Sequence, residues 1–112
     1  MAKKAFIVVS SGDREVVKGP ALMYPLNAIK REWLDEVKVI IFGPSEKLVA
    51  SDAEIQAKLE ELRSAGIEIV ACKALSDAWN ITGAIEDKGI ECVYVGSVIS
   101  QLIQDGWASL TF

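Results

Sequence analysis

Five short apolar runs are spaced along the chain, with amphipathic or polar stretches between them. The first is KAFIVVS, residues 4–10, followed by Ser11-Gly12, and the second is VKVIIF, residues 37–42, followed by Gly43-Pro44. The third is IEIVA, residues 67–71, the fourth IECVYV, residues 90–95, and the last WASLTF, residues 107–112. Runs of this length, rich in β-branched residues and closed by turn formers, predict strands buried on both faces.

The intervening segments carry helical spacing. Leu22, Leu26, Ile29 and Trp33 fall on one face of a segment over residues 13–34. Pro20 and Pro25 lie within it. Either a helix begins at Pro20 and is kinked at Pro25, or a helix capped by Asp13 is bent at both prolines. A short helix is expected over 46–50. A second, over 52–65, is opened by a Ser51/Glu54 capping box, buries Ile55, Leu59 and Leu62, and stops at Gly66. One or two short helices fill 73–88, broken near Asn80 and ended by Gly89. Gly96-Ser97 opens the last helix, with Val98, Leu102 and Ile103 on its apolar side and Gly106 at its end.

Strands that alternate with helices predict a single-domain α/β fold over residues 1–112. It has three layers, α/β/α, around a mostly parallel five-stranded sheet. A chain of 112 residues buries enough surface to fold without a disulfide or a metal. Hydrophobic residues make up 51% and charged residues 25%, which fits a globular chain rather than a disordered one.

Charge narrows the partners. The net charge is −4 and no basic cluster is longer than Lys3-Lys4, so no nucleic-acid partner is expected. The apolar run near the N-terminus is too short for a secretory signal, and no segment is long enough to cross a bilayer, so a cytoplasmic protein with no membrane partner is expected.

The chain has two cysteines and no histidine. Ser-His and Cys-His nucleophile pairs, histidine metal ligands and an imidazole proton shuttle are all excluded. Two cysteines without a CxxC cannot build a structural zinc site, so neither a metal nor a cofactor is expected. In a reducing compartment both thiols stay free.

In a parallel sheet every strand ends at the same edge, and ligands bind along it. The residues brought there are Ser10, Ser11 and Gly12 after the first strand, and Gly43, Pro44 and Ser45 after the second. Cys72 follows the third, and Gly96 and Ser97 the fourth. Cys72 is the one strong nucleophile among them. A thiol at a helix mouth faces unpaired backbone N–H groups that favour the thiolate, and the Lys73 ammonium adds to this if it turns toward the sulfur. A small core residue is the competing reading of Cys72. Cys92, inside the fourth strand, reads as a core thiol. The Ser-Ser-Gly-Asp turn matches no nucleotide-binding loop, and Asp13 would repel phosphate. Glu60-Glu61 and Asp35-Glu36 read as solvated faces, and the three tryptophans as core or subunit-interface residues.

The segments GIEIVACKALSDAWNI and GIECVYVGSVISQLIQDGWASLTF resemble the DsrE/DsrF-like family, which includes TusD- and YchN-like sulfur-relay and related small α/β proteins. The shared pattern is a buried strand ending in Cys, a short alanine-rich helix, and a second strand ending near Gly-Ser. A helix and a final strand behind a Gly-aromatic pair complete it. The resemblance implies a cytoplasmic homo-oligomer, trimer or hexamer, that exchanges sulfur with donor and acceptor proteins. It implies that Cys72 holds the persulfide; the sheet edge adds Ser11, Gly12, Gly43, Lys73 and Ser97 as the expected substrate-binding residues around it. This chain departs from the relay pattern at Pro20 and Pro25, and at Lys73, where a small apolar residue is common. A non-catalytic oligomeric binding or scaffold module of the same fold, or a thiol redox sensor, is the alternative.

Overall fold

The computed structural model describes residues 2–112; Met1, the first residue of the expected domain, lies outside them. The strands are β1 (Lys4–Val9), β2 (Glu36–Ile41), β3 (Glu68–Cys72), β4 (Glu91–Val93) and β5 (Ala108–Thr111). They form one sheet in the order β4-β3-β2-β1-β5, and every pairing is parallel. The expected mostly parallel sheet is therefore parallel throughout.

From β1 to β4 the chain steps across the sheet in one direction. Right-handed crossovers then stack the connecting helices on one side. These are α1 (Arg14–Val16), a π turn (Val17–Ala21), α2 (Leu22–Lys30), α3 (Ser45–Ser51), α4 (Ala53–Ser64), α5 (Lys73–Ala78) and α6 (Thr82–Glu86). Except for α5, whose Leu75 turns to the smaller core, their apolar faces meet Ile7, Val9, Val37, Val39, Ile41, Ile69 and Ala71 in the larger core. The return from β4 to β5 reverses direction, so α7 (Val95–Gln104) covers the opposite side. There Phe6, Val8, Ile40 and Cys72 pack with Val95 and Leu102 in a smaller core.

The first helical segment follows the bent reading. The Asp13 carboxylate accepts from the amides of Glu15 and Val16, so the helix starts there, ahead of the prolines. The bend falls at Gly19, whose ψ of −114° is not helical, and α2 runs on through the buried Pro25. The expected inner-face residue Trp33 is 53% exposed. The helix ends before it, and the indole stacks on Tyr24 with the Arg31 guanidinium alongside.

Two helix starts differ from expectation. The residue capping α4 is Asp52, whose carboxylate accepts from the amides of Glu54 and Ile55. Ser51 remains in the last turn of α3 and donates to the Lys47 carbonyl. Asp52 wins because its carboxylate also binds Arg14, which holds it well below the usual carboxylate range. Arg14 and Lys18 both pair with Glu54, which ties the bent segment to the start of α4. The last helix begins one residue before Gly96, because Val95 turns directly into the smaller core. Gly66, Gly89 and Gly106 end their elements at positive φ, and Asn80 breaks α5 from α6 at φ 57°. No helix among the described residues is long and apolar enough to cross a membrane.

Asp52→Ala removes both the cap and the Arg14 partner and is expected to lower the thermal midpoint by several degrees, while Ser51→Ala leaves it nearly unchanged. Ile41→Ala, in the larger core, should cost about 2–5 kcal/mol by urea denaturation. Equal midpoints for the Ser51 and Asp52 variants would contradict this assignment of the cap.

Candidate functional site at the carboxyl edge of the sheet

The parallel register places the carboxyl ends of β1, β2, β3 and β4 side by side. At the β1–β2 end the packing is close. The Ser45 hydroxyl donates to the Val9 carbonyl at 2.6 Å, and the Ser45 amide to the Ser10 carbonyl at 3.2 Å. Gly43 is buried at φ 143°, and a Cβ there would stand 2.6 Å from the Ser10 carbonyl oxygen. Only glycine lets the two turns come this close.

Of the expected site residues, Ser11, Gly12 and Gly43 gather at this end. The Ser11 hydroxyl accepts from the Asp13 amide, and Gly12 approaches the Pro44 side chain. Cys72 and Lys73 stand one strand over, at the end of β3. Ser97 lies beyond β4 in the exposed first turn of α7, where its hydroxyl donates to the Tyr94 carbonyl.

Cys72 occupies the position that caps α5, with extended backbone (φ −73°, ψ 114°), and its sulfur makes no capping hydrogen bond. The expected helix mouth is there. The sulfur, however, points to the α7 side and packs in the smaller core, leaving the residue 5% exposed. The expectation of an open sheet margin around it is not met, because α7 crosses back over this face. Lys73 does not turn to the sulfur: its ammonium lies 3.3 Å from Asp77, and that hydrogen bond raises its pKa. Asp77 also accepts from the Thr82 hydroxyl, which with Lys73 holds it below the usual carboxylate range.

Cys92 is a core thiol, 7% exposed, on the opposite side of the sheet. Burial pushes its pKa up, and a hydrogen bond with Ser76 opposes this only in part. Two surface hollows stand out, one between α2 and α4 at Leu22, Leu26 and Leu62, the other at Lys4, Asp105 and Trp107. Neither borders Cys72. Among the described residues no cluster of three or more His, Cys, Asp or Glu side chains could hold a metal.

Glu46, at the start of the short helix expected over 46–50, carries no sequence motif. It is fully buried. Its amide donates to the Gly43 carbonyl at 3.0 Å, and its Oε2 accepts from the Gly43 amide at 3.4 Å. The first is the backbone bond of a turn; only the second, carboxyl to amide, resembles half of a capping box. Oε1 has no partner. Burial drives the Glu46 pKa up to about 7, and the Gly43 hydrogen bond opposes it weakly.

No family model matches the sequence, and no curated protein does. Solved structures do match. A conserved protein of unknown function from Bacteroides thetaiotaomicron has 28% identity and a TM-score of 0.91, with 98% of this chain and 95% of that one covered. A protein of unknown function from Methanobacterium thermoautotrophicum has 19% identity and a TM-score of 0.74, over 98% and 99% of the two chains. The ychN protein of E. coli has 17% identity and a TM-score of 0.79 over the full length of both. The fold is thus the DsrE-like one that the sequence resembles.

Gly43→Ala forces a side chain against the Ser10 backbone at positive φ and should cost about 2 kcal/mol or more. Gly96→Ala meets open space inside a helix and should stabilise by about 0.5–1 kcal/mol. Denaturant titration of both variants checks the pair, and a neutral Gly43→Ala would contradict the close approach.

Proposed function

We propose that the protein is a small cytoplasmic sulfur carrier in which Cys72 holds sulfane sulfur as a persulfide. The Cys72 thiolate attacks the outer sulfur of a donor persulfide. The donor S–S bond breaks, a new S–S bond forms on Cys72, and the donor thiolate leaves. Attack by an acceptor thiolate on the outer sulfur then releases Cys72, so no external oxidant or reductant is consumed. The observation that carries this reading is the place of Cys72 at the carboxyl end of β3, immediately before α5, on the edge where ligands of parallel sheets bind. Burial raises the Cys92 pKa and so disfavours its thiolate. The DsrE-like fold supports the same reading. With Cys72 5% exposed, transfer requires α5 or the start of α7 to move aside. Ser11, Gly12, Gly43, Lys73 and Ser97 are the residues of the surrounding rim. The chain works as a homo-oligomer, trimer or hexamer, which buries exposed apolar residues such as Tyr94 and Ile103.

The burial of Cys72 in an aliphatic cluster favours a second reading, an oligomeric binding module without turnover. One experiment separates the two. The native protein is incubated with a sulfane donor near neutral pH, alkylated, and mapped by mass spectrometry. A carrier gains the mass of one sulfur atom on Cys72, and Cys72→Ser abolishes loading while Cys92→Ser retains it. Labelling of both cysteines only after denaturation, with no sulfur gained, would select the binding module.

A further inference from the structure

Glu46 lies outside the sulfur chemistry, yet it is a fully buried carboxyl with an orphan oxygen. It sits where α3 joins the ends of β1 and β2. A carboxylate moved out of water without a cation or a full set of donors is strongly disfavoured, and the neutral acid takes its place. Among the described residues no cation pairs with it. On the neighbouring elements, Glu86 of α6 accepts from the Cys92 amide of β4, and Lys73 of α5 is paired with Asp77. On α3 itself the Lys47 ammonium lies over the Trp79 ring. On α4, Asp52 and Glu54 are engaged by Arg14 and Lys18. From β1 come only the Ser10 carbonyl and, through Ser45, the Val9 carbonyl.

We propose that Glu46 is a proton-operated latch at the carboxyl edge of the sheet. As the neutral acid it seats the first turn of α3 against β1 and β2; as the carboxylate it drives that turn, residues 43–47, outward to water. The direction of the pKa agrees, since burial lifts it from 4.5 to about 7. The folded state thus holds this proton more tightly than the unfolded chain. Its stabilising contribution is complete below the unfolded value and is lost progressively as pH rises to the folded one. Asp52, Glu54 and Asp77 have lowered pKa values, so their contributions are already complete above the ordinary carboxylate range. The chain has no histidine, so no imidazole titrates in the window. Such a latch would make the Gly43–Ser45 side of the edge looser at neutral than at mildly acidic pH.

The test compares the wild-type chain with Glu46→Gln, which keeps the shape and removes the proton. Denaturant unfolding is followed from about pH 5 to about pH 7.5, where one linked proton shifts the folding equilibrium by at most roughly tenfold per pH unit. The wild type should lose stability across the window, approaching that slope, while Glu46→Gln stays flat. Hydrogen exchange of residues 43–47, corrected for the intrinsic pH dependence, should quicken over the same range in the wild type alone. Equal slopes in both proteins, or exchange that does not change with pH, would overturn the latch. If Glu46→Gln does not fold, the carbon-13 titration of the wild-type Glu46 carboxyl decides: a midpoint in the ordinary carboxylate range overturns it. None of these readouts depends on Cys72, so the sulfur-carrier reading can fail without touching this one.

Discussion

The structure depends on β1 being apolar on both of its sides at once. Ile7 and Val9 close the larger core, and Phe6 and Val8 close the smaller one. Each such side chain contributes about 1.5–3 kcal/mol when fully buried. β1 also pairs on both edges, with β2 and with β5. The helices that fill the larger side all belong to the outward walk from β1 to β4. The smaller side is closed mainly by α7, on the single return, with Leu75 of α5 beside it. Two faces of one sheet are therefore covered unequally. The thin cover over Cys72 and the exposed Ile103 on α7 both follow from that imbalance.

This arrangement was largely legible from periodicity, because a strand buried on both faces needs an unbroken apolar run and a helix does not. The runs at Phe6–Val9 and Val37–Ile41, and the Ile55, Leu59, Leu62 stripe, ended up where their spacing put them. What sequence left open was settled by contacts between distant segments. Ser51 and Asp52 both carry a capping oxygen, and Arg14, 38 positions earlier, decides between them. The exposure of Cys72 is set by α7, whose place over the sheet follows from the order of the strands rather than from the residues near the cysteine. Trp33 continues a helical stripe on paper, but its helix has already ended. The burial of Glu46 needed the packing of α3 against α6, which no local pattern announces.

The two sulfurs are near in the sheet and separate in space. Ala71 is the register partner of Cys92, and Cys72 that of Val93. The cysteines stand one row apart on adjoining strands, and alternate rows point to opposite faces. They cannot bridge without breaking the β3–β4 pairing. Each thiol therefore answers to its own surroundings, one under α7 and the other in the larger core beside Ser76.

The contact between Lys47 and Trp79, 4.5 Å from ammonium to ring centre, crosses from α3 to the turn after α5. It begins one residue after Glu46 and ends next to Asn80, where the backbone reverses. An indole beneath a positive charge emits differently from one without it. With Trp33 and Trp107, which also lie beside cations, replaced by Phe, Trp79 becomes an optical probe of how α3 sits on its neighbours, readable without any attached label.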